Sequence, residues 1–108
     1  MLNQTVMVGR LTHDLKRELI DDNREVCKIT ISVPRNYKNE NGEYETDFIP
    51  VVLTDNISKN VCEYCKKNDV IGIKGRIESV KENDNYNVRI IAEKVTFLSS
   101  SKDIDKED

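Results

Sequence analysis

The sequence predicts an all-β domain with one helix, and three observations support this prediction. Apolar and polar residues alternate in several separate runs, turns rich in Asn, Asp and Gly separate these runs, and one segment shows helical spacing instead. With 108 residues the chain has the length of a single domain. A domain of this size buries roughly 65% of its unfolded surface, which is enough for one core without disulfides.

The first predicted strand is residues 4–12, QTVMVGRLT, which are rich in β-forming residues. Gly9 lies inside this run and predicts a bulge or the close approach of another backbone. We interpret the charged residues 13–24 as a loop that ends in a turn at residues 21–23, with a short helix as the alternative.

The second and third predicted strands, residues 26–33 and 44–53, form a hairpin. Both alternate between apolar and polar side chains, which is typical of half-buried strands. Asn41-Gly42 predicts a primed turn at the tip, because both residue types accept positive φ. The side chains expected to face the core are Cys27, Ile29, Ile31, Val33, Ile49, Val51 and Leu53.

The helix is predicted over residues 55–67, where apolar side chains recur at helical spacing. Asp55 or Asn56 is expected to cap its start, and Asn68 suits the left-handed conformation after its end. The residues expected to form its apolar face are Ile57, Val61, Tyr64 and Cys65.

The fourth and fifth predicted strands are residues 69–80 and 86–98, joined by a turn at residues 82–85. The order is therefore three strands, a helix and two strands. This order predicts a five-stranded OB-fold barrel with one helix between strands 3 and 4. A small SH3-like barrel is the competing fold, although it rarely has a three-turn helix at that point. The fourth-strand residues expected inside are Ile71, Ile73, Gly75 and Ile77.

The charge distribution argues against a simple polycationic binder, since the net charge is −3. Residues 99–108 contain four acidic and two basic side chains, and we expect them to be a short disordered tail after a domain of residues 1–98. The chain has no long apolar run and no export signal, so we expect a cytoplasmic protein without a membrane partner. Its three cysteines fit a reducing compartment.

The sequence contains no convincing catalytic, metal or cofactor site. Cys62 and Cys65 form a C-x-x-C motif, but without a second spaced pair they are expected to pack as small hydrophobic residues. His13 has no nucleophile motif to activate. We therefore predict that the protein is not an enzyme and needs no cofactor.

The hairpin of residues 34–48 carries three aromatic side chains among charges of both signs. Tyr37 lies between Arg35 and Lys38, and Tyr44 and Phe48 share the face opposite to the core. Exposed rings flanked by cations are typical of surfaces that bind single-stranded nucleic acid. The alternative is that Phe48 packs beneath the hairpin or against a second subunit.

The chain resembles the bacterial and phage single-stranded DNA-binding proteins over about residues 1–98. The resemblance implies an OB-fold that assembles as a homotetramer, or as a dimer of double-OB chains. It also implies that the protein wraps single-stranded DNA with little sequence preference during replication, recombination or repair. It also implies replication or recombination proteins as partners, and no catalytic residues. The segments that carry it are MLNQTVMVGRLTHD, VCKITISVPRNY, TDFIPVVL, NVCEYCKKNDVIGIKGRI and AEKVTFL.

By position, the resemblance assigns base stacking to Tyr37 and Phe48. The chain departs from the family at Thr54, where a ring is usual, and at residues 80–82, so that Tyr86 is the nearest candidate there. These departures leave open an alternative function as an OB-fold protein-interaction module, a primosome-like accessory factor with weak nucleic-acid binding. The cations on segments that approach the DNA backbone in the family are Arg10, Arg35, Lys38, Lys74 and Arg76.

Overall fold

A computed structural model describes residues 1–20 and 24–100. The predicted turn at residues 21–23 and most of the predicted tail, residues 101–108, lie outside the described residues. The elements are β1 (Thr5–Leu11), β2 (Arg17–Ile20), β3 (Arg24–Lys38), β4 (Tyr44–Thr54), α1 (Asp55–Tyr64), β5 (Val70–Glu82) and β6 (Asn85–Ser99). At ten residues α1 is far shorter than a membrane-crossing helix, and the described ranges contain no other helix.

Five of the strands close into a barrel in the order β1-β5-β6-β4-β3, with a further pairing between β1 and β3. All neighbours are antiparallel except β4 and β6, which pair in parallel at two positions. β1 joins both ends of the sheet, because Thr5–Arg10 pair with β5 while Arg10 and Leu11 pair with β3. This closure and the helix α1 directly after β4 confirm the predicted OB-fold.

The prediction that residues 13–24 form a loop was wrong for part of this segment. Arg17–Ile20 form the short strand β2, which pairs with residues 24–27 at the start of β3. The segment is charged and has weak strand propensity. Its extended conformation therefore depends on tertiary pairing with the long edge of β3, which no local pattern reveals.

The core consists of the inner faces of the strands together with one face of α1. The alternation predicted for β3, β4 and β5 is confirmed at most of these positions. Ile77 is an exception, being 44% exposed although it has the inner parity. β5 pairs with β1 only as far as Gly75, so the β5–β6 hairpin projects beyond the barrel at Ile77. The largest fully buried side chains are Leu11, Cys27, Ile29, Ile31, Val51, Leu53, Ser58, Ile71 and Ile73.

The helix is three residues shorter than predicted and its cap differs. The N-cap residue is Thr54, not Asp55 or Asn56, and α1 ends at Tyr64, whose side chain is exposed. The cause of the early end is a turn in which the Lys66 amide donates to the Asp69 carboxylate over 2.8 Å.

The primed turn was predicted at the tip of the β3–β4 hairpin, but it occurs in the β5–β6 hairpin. At the β3–β4 tip Gly42 has φ 78°, whereas Asn41 does not have positive φ. The Gly42 amide donates to the Asn39 carbonyl, which fits a three-residue loop with a left-handed glycine at its end. Positive φ at two consecutive residues occurs instead at Asn83 and Asp84, between β5 and β6.

Candidate nucleic-acid interface

The outer face of β3 and β4 begins at an exposed aromatic ring. Phe48 pairs with Ser32, and four residues further along β4 Val52 pairs with Lys28. Because side chains alternate across a strand, these four residues share the side of the sheet that faces away from the core. Phe48 is 65% exposed, which confirms the predicted outward direction of its ring.

This outer face continues across β6 onto β5 and forms a groove of about 500 Å³. The parallel pairing of Val52 with Ile91 brings β6 beside β4, and Arg76 pairs with Ile91 from the other side. Four cationic side chains and one acidic side chain line the groove, so its charge is positive although the chain is acidic overall. The lining residues are Arg24, Val26, Lys28, Val52, Thr54, Arg76, Glu78, Arg89 and Ile91.

The cations of the groove make long ion pairs. Glu78 lies 3.5 Å from both Arg76 and Arg89, and Arg24 lies 3.8 Å from Asp55. Partly exposed pairs at such distances contribute little to stability. Lys28 makes no ion pair within residues 1–20 and 24–100. An anionic ligand that binds these cations at a shorter distance therefore replaces only weak ion pairs.

Arg35, which the resemblance placed near DNA, is held inside its own hairpin. Its Nε and Nη2 donate to the two Asp47 carboxylate oxygens over 3.0 and 2.8 Å, and its Nη1 donates to Glu45 over 2.6 Å. These hydrogen bonds raise the pKa of Arg35 above its usual value and lower the pKa of Asp47. The guanidinium thus fixes the base of the hairpin.

The other predicted hairpin residues lie close to the tip. Tyr37 is 64% exposed, and it lies in the stretch where the β3–β4 register shifts between Pro34 and Lys38. Lys38 pairs with Tyr44 across the strands, and its Nζ lies 5.7 Å from the centre of the Tyr44 ring. The cation and the ring therefore already contact each other, and they present a joint surface.

Arg10 and Lys74 have different surroundings. Arg10 Nη1 donates to the carbonyl of Asn68 over 2.8 Å, so that part of its donor capacity is used near the end of β1. Lys74 is exposed and lies two residues before Arg76 on the outer side of β5. Lys74 thus extends the line of cations away from the groove.

Tyr86 does not belong to this surface. It pairs with Lys81, whose Nζ lies 5.9 Å from the ring centre. Glu78 and Arg89, which pair with each other, have the opposite parity on the same two strands. The ring of Tyr86 is therefore on the hairpin face opposite to the groove.

Sequence reasoning missed three cations of the groove: Arg24, Lys28 and Arg89. Lys28 was recognisable, because it occupies an outer position of a strictly alternating strand. Arg24 fell in a segment that was interpreted as loop. Arg89 reaches the groove through the parallel contact between β6 and β4, which has no local sequence signal.

Comparison with known proteins agrees with this architecture. Residues 2–98 match the model of the single-strand binding protein family. The chain is 36% identical over 105 residues to a single-stranded DNA-binding protein of Streptococcus mutans, with coverage of 93% of this chain and 64% of that protein. It is 34% identical over 110 residues to single-stranded DNA-binding protein 1 of Clostridium acetobutylicum, with coverage of 94% and 98%.

Two solved structures share the fold at 18% sequence identity. The crystal structure of the single-stranded DNA binding protein of Thermus aquaticus gives a TM-score of 0.80 and covers 94% of this chain and 52% of that chain. A Plasmodium falciparum SSB complex with single-stranded DNA gives 0.78, with coverage of 92% and 96%. On the family match and the relatives of over 30% identity, this chain belongs to the single-strand binding protein family.

Proposed function

We propose that this chain binds single-stranded DNA without sequence preference and protects it during replication, recombination or repair. The observation that carries the proposal is the exposed ring of Phe48 on the same outer face of the sheet as a groove lined by four cations. Rings that stack on bases and cations that follow phosphates are the two components of such surfaces. The named activity of the relatives supports the same function.

The surface provides these two components at a spacing that one strand of DNA can bridge. Phe48 and Val52 are four residues apart on β4, which corresponds to about 13 Å along a strand. A base stacked on Phe48 therefore leaves the following phosphates above Lys28, Arg76 and Arg89. Ring faces and phosphates carry little sequence information, and this explains the lack of sequence preference.

The hairpin extends this surface beyond Phe48. Tyr37, Tyr44 and Lys38 offer further rings and a cation, whereas Arg35 acts by keeping the hairpin in place. We assign no role in DNA binding to Tyr86, because it lies on the opposite face. The protein is in this view a binding protein and not an enzyme, it requires no cofactor, and it works in the cytoplasm.

Fluorescence anisotropy with a labelled oligo-dT tests the groove through matched variants. Lys28→Ala should weaken binding, because Lys28 is proposed to contact a phosphate. It should also reduce the slope of the logarithm of the association constant against the logarithm of salt concentration by about one. Lys59→Ala removes an equal charge from α1 and should leave the Kd near that of the wild type. Equal effects of the two variants would contradict the groove. Weak oligo-dT binding together with nuclease-resistant capture of a protein would favour the interaction module instead.

We also infer that the chain forms a homo-oligomer, a tetramer. Within the described residues, the edge of β1 that faces away from β5 is unpaired over Thr5–Gly9. Val6 and Val8 on this segment are 68% and 52% exposed, and an open apolar strand edge is a template for pairing with a second copy. Light scattering after size exclusion should give the mass of four chains; a monomer at micromolar concentration would overturn the inference. Val8→Lys should reduce the mass.

A further inference from the structure

Two thiols from distant parts of the chain meet behind the groove. Cys27 lies on β3 and Cys62 on α1, and the Cys62 thiol donates to the Cys27 sulfur over 3.4 Å. Cys27 is fully buried, Cys62 is half-buried, and both are free. Since a disulfide has an S–S length of about 2.05 Å, the two sulfurs need to move about 1.4 Å closer to form the bond.

We propose that Cys27 and Cys62 are a modification site at which a peroxide forms a reversible intramolecular disulfide. The disulfide ties α1 to the strand that carries Lys28. In a reducing compartment such a bond is transient, and it forms when peroxide is present.

The half-buried thiol reacts first. The Cys62 thiolate attacks one oxygen of hydrogen peroxide, the O–O bond breaks, and the products are a sulfenic acid on Cys62 and, after uptake of a proton, water. The Cys27 sulfur then attacks the Cys62 sulfur, its proton passes to the departing hydroxide, and a second water leaves. Overall two thiols are oxidised by two electrons and one hydrogen peroxide is reduced to two waters.

The surroundings of Cys27 fit this order of events. Burial, together with the contact with Cys62, raises the pKa of Cys27 to about 12. Cys27 therefore stays protonated, and full burial keeps it away from the peroxide. Its later attack on Cys62 becomes possible because its proton is transferred to the departing hydroxide as the S–S bond forms. Its place within reach of Cys62 makes it the resolving thiol.

Cys65 is the competing partner, since it completes the C-x-x-C motif with Cys62. It lies beyond the end of α1 in an extended conformation and is 8% exposed, and burial raises its pKa. Cys27 is the residue whose sulfur Cys62 contacts. Among residues 1–20 and 24–100, no group of three or more His, Cys, Asp and Glu side chains is placed to hold a metal ion.

Mass spectrometry of the peroxide-treated full chain tests the proposal. After free thiols are blocked, trypsin without reductant should release residues 25–28 joined to residues 60–66. The expected mass is the sum of the two reduced peptides, less two hydrogen atoms, plus one blocking group on Cys65. Dithiothreitol should separate them. The melting temperature of the oxidised protein should rise by roughly 4 °C or more, because the bond closes a long loop.

Cys62 and Cys65 lie on one tryptic peptide, so the mass alone does not show which of them is bonded to Cys27. Variants of the two cysteines distinguish them. Cys65→Ala should retain the crosslink, and Cys62→Ala should abolish it with no loss of the β-rich circular dichroism spectrum. A Cys62–Cys65 bond, a disulfide-linked dimer as the main product, or over-oxidised Cys62 beside free Cys27 would each overturn the proposal.

Discussion

Phe48 places an exposed ring in the middle of a strand, opposite Ser32 and on the side away from the core. Leaving a large apolar side chain in water gives up the free energy that burial would provide, and stacking on a base recovers part of it. The direction of the ring was predictable from the alternation of β4. Its proposed role as a stacking platform was not, because the same position could equally cover a second subunit.

Substitution of Phe48 by Ala should weaken binding of oligo-dT by roughly 5- to 150-fold, the equivalent of about 1–3 kcal/mol for one stacked base. Tyr86→Ala is the matched control, because this ring is as exposed as Phe48 but lies on the opposite face. Anisotropy titration of both variants checks the assignment. Similar small changes in Kd for the two variants would show that Phe48 is not a platform.

Asp47 should titrate at a pKa below its usual value of 3.8, because Arg35 donates two hydrogen bonds to its ionised form. A lowered pKa in the folded state means that the pair stabilises the hairpin above the ordinary pKa, and that this stabilisation is lost as the pH falls through the lowered value. Carbon-detected NMR of the Asp47 carboxyl group measures its pKa. In Arg35→Gln the pKa should rise toward 3.8; an unchanged value would contradict the pair.

At the scale of elements, local periodicity predicted the strands that bury one face. It failed where an element depends on pairing with a distant strand or on a hydrogen bond from one side chain. β2 exists because β3 offers it an edge. α1 stops early because the Asp69 carboxylate captures the Lys66 amide. The β3–β4 tip is set by Asn39, whose side-chain oxygen accepts from the amides of Asn41 and Glu43 over 2.9 and 3.0 Å.

The predicted close approach at Gly9 is confirmed, and it explains how β1 crosses from β5 to β3. A Cβ added there would lie 2.9 Å from the Ser32 carbonyl oxygen and 3.1 Å from Ile31 Cβ. Gly9→Ala should therefore lower the free energy of unfolding by about 1–3 kcal/mol.

Gly72→Ala is the matched control for Gly9, since the nearest atom to its added Cβ is 3.6 Å away on Leu98. Its effect should stay within about 0.5 kcal/mol. Urea unfolding measures the free energy of unfolding of both variants. Equal stabilities would mean that β1 crosses without steric restriction at Gly9.

At the scale of the whole molecule, the order of the elements was sufficient to predict the barrel, because each of the five barrel strands and the helix has its own local signal. The groove was not predictable in the same way. Its cations come from β3, β5 and β6, and they meet only because β6 pairs in parallel with β4 and closes the sheet. Net charge also gave no indication of it, since an acidic chain carries a positive groove.

The salt dependence of oligo-dT binding tests the central claim most directly. If the four groove cations contact phosphates, the logarithm of the association constant should fall linearly with the logarithm of salt concentration, with a slope of about −3. Anisotropy titrations of the full chain over a series of salt concentrations measure this slope. We expect tight binding at low salt that weakens along this line. A slope near zero, or no binding at micromolar protein in low salt, would contradict the account.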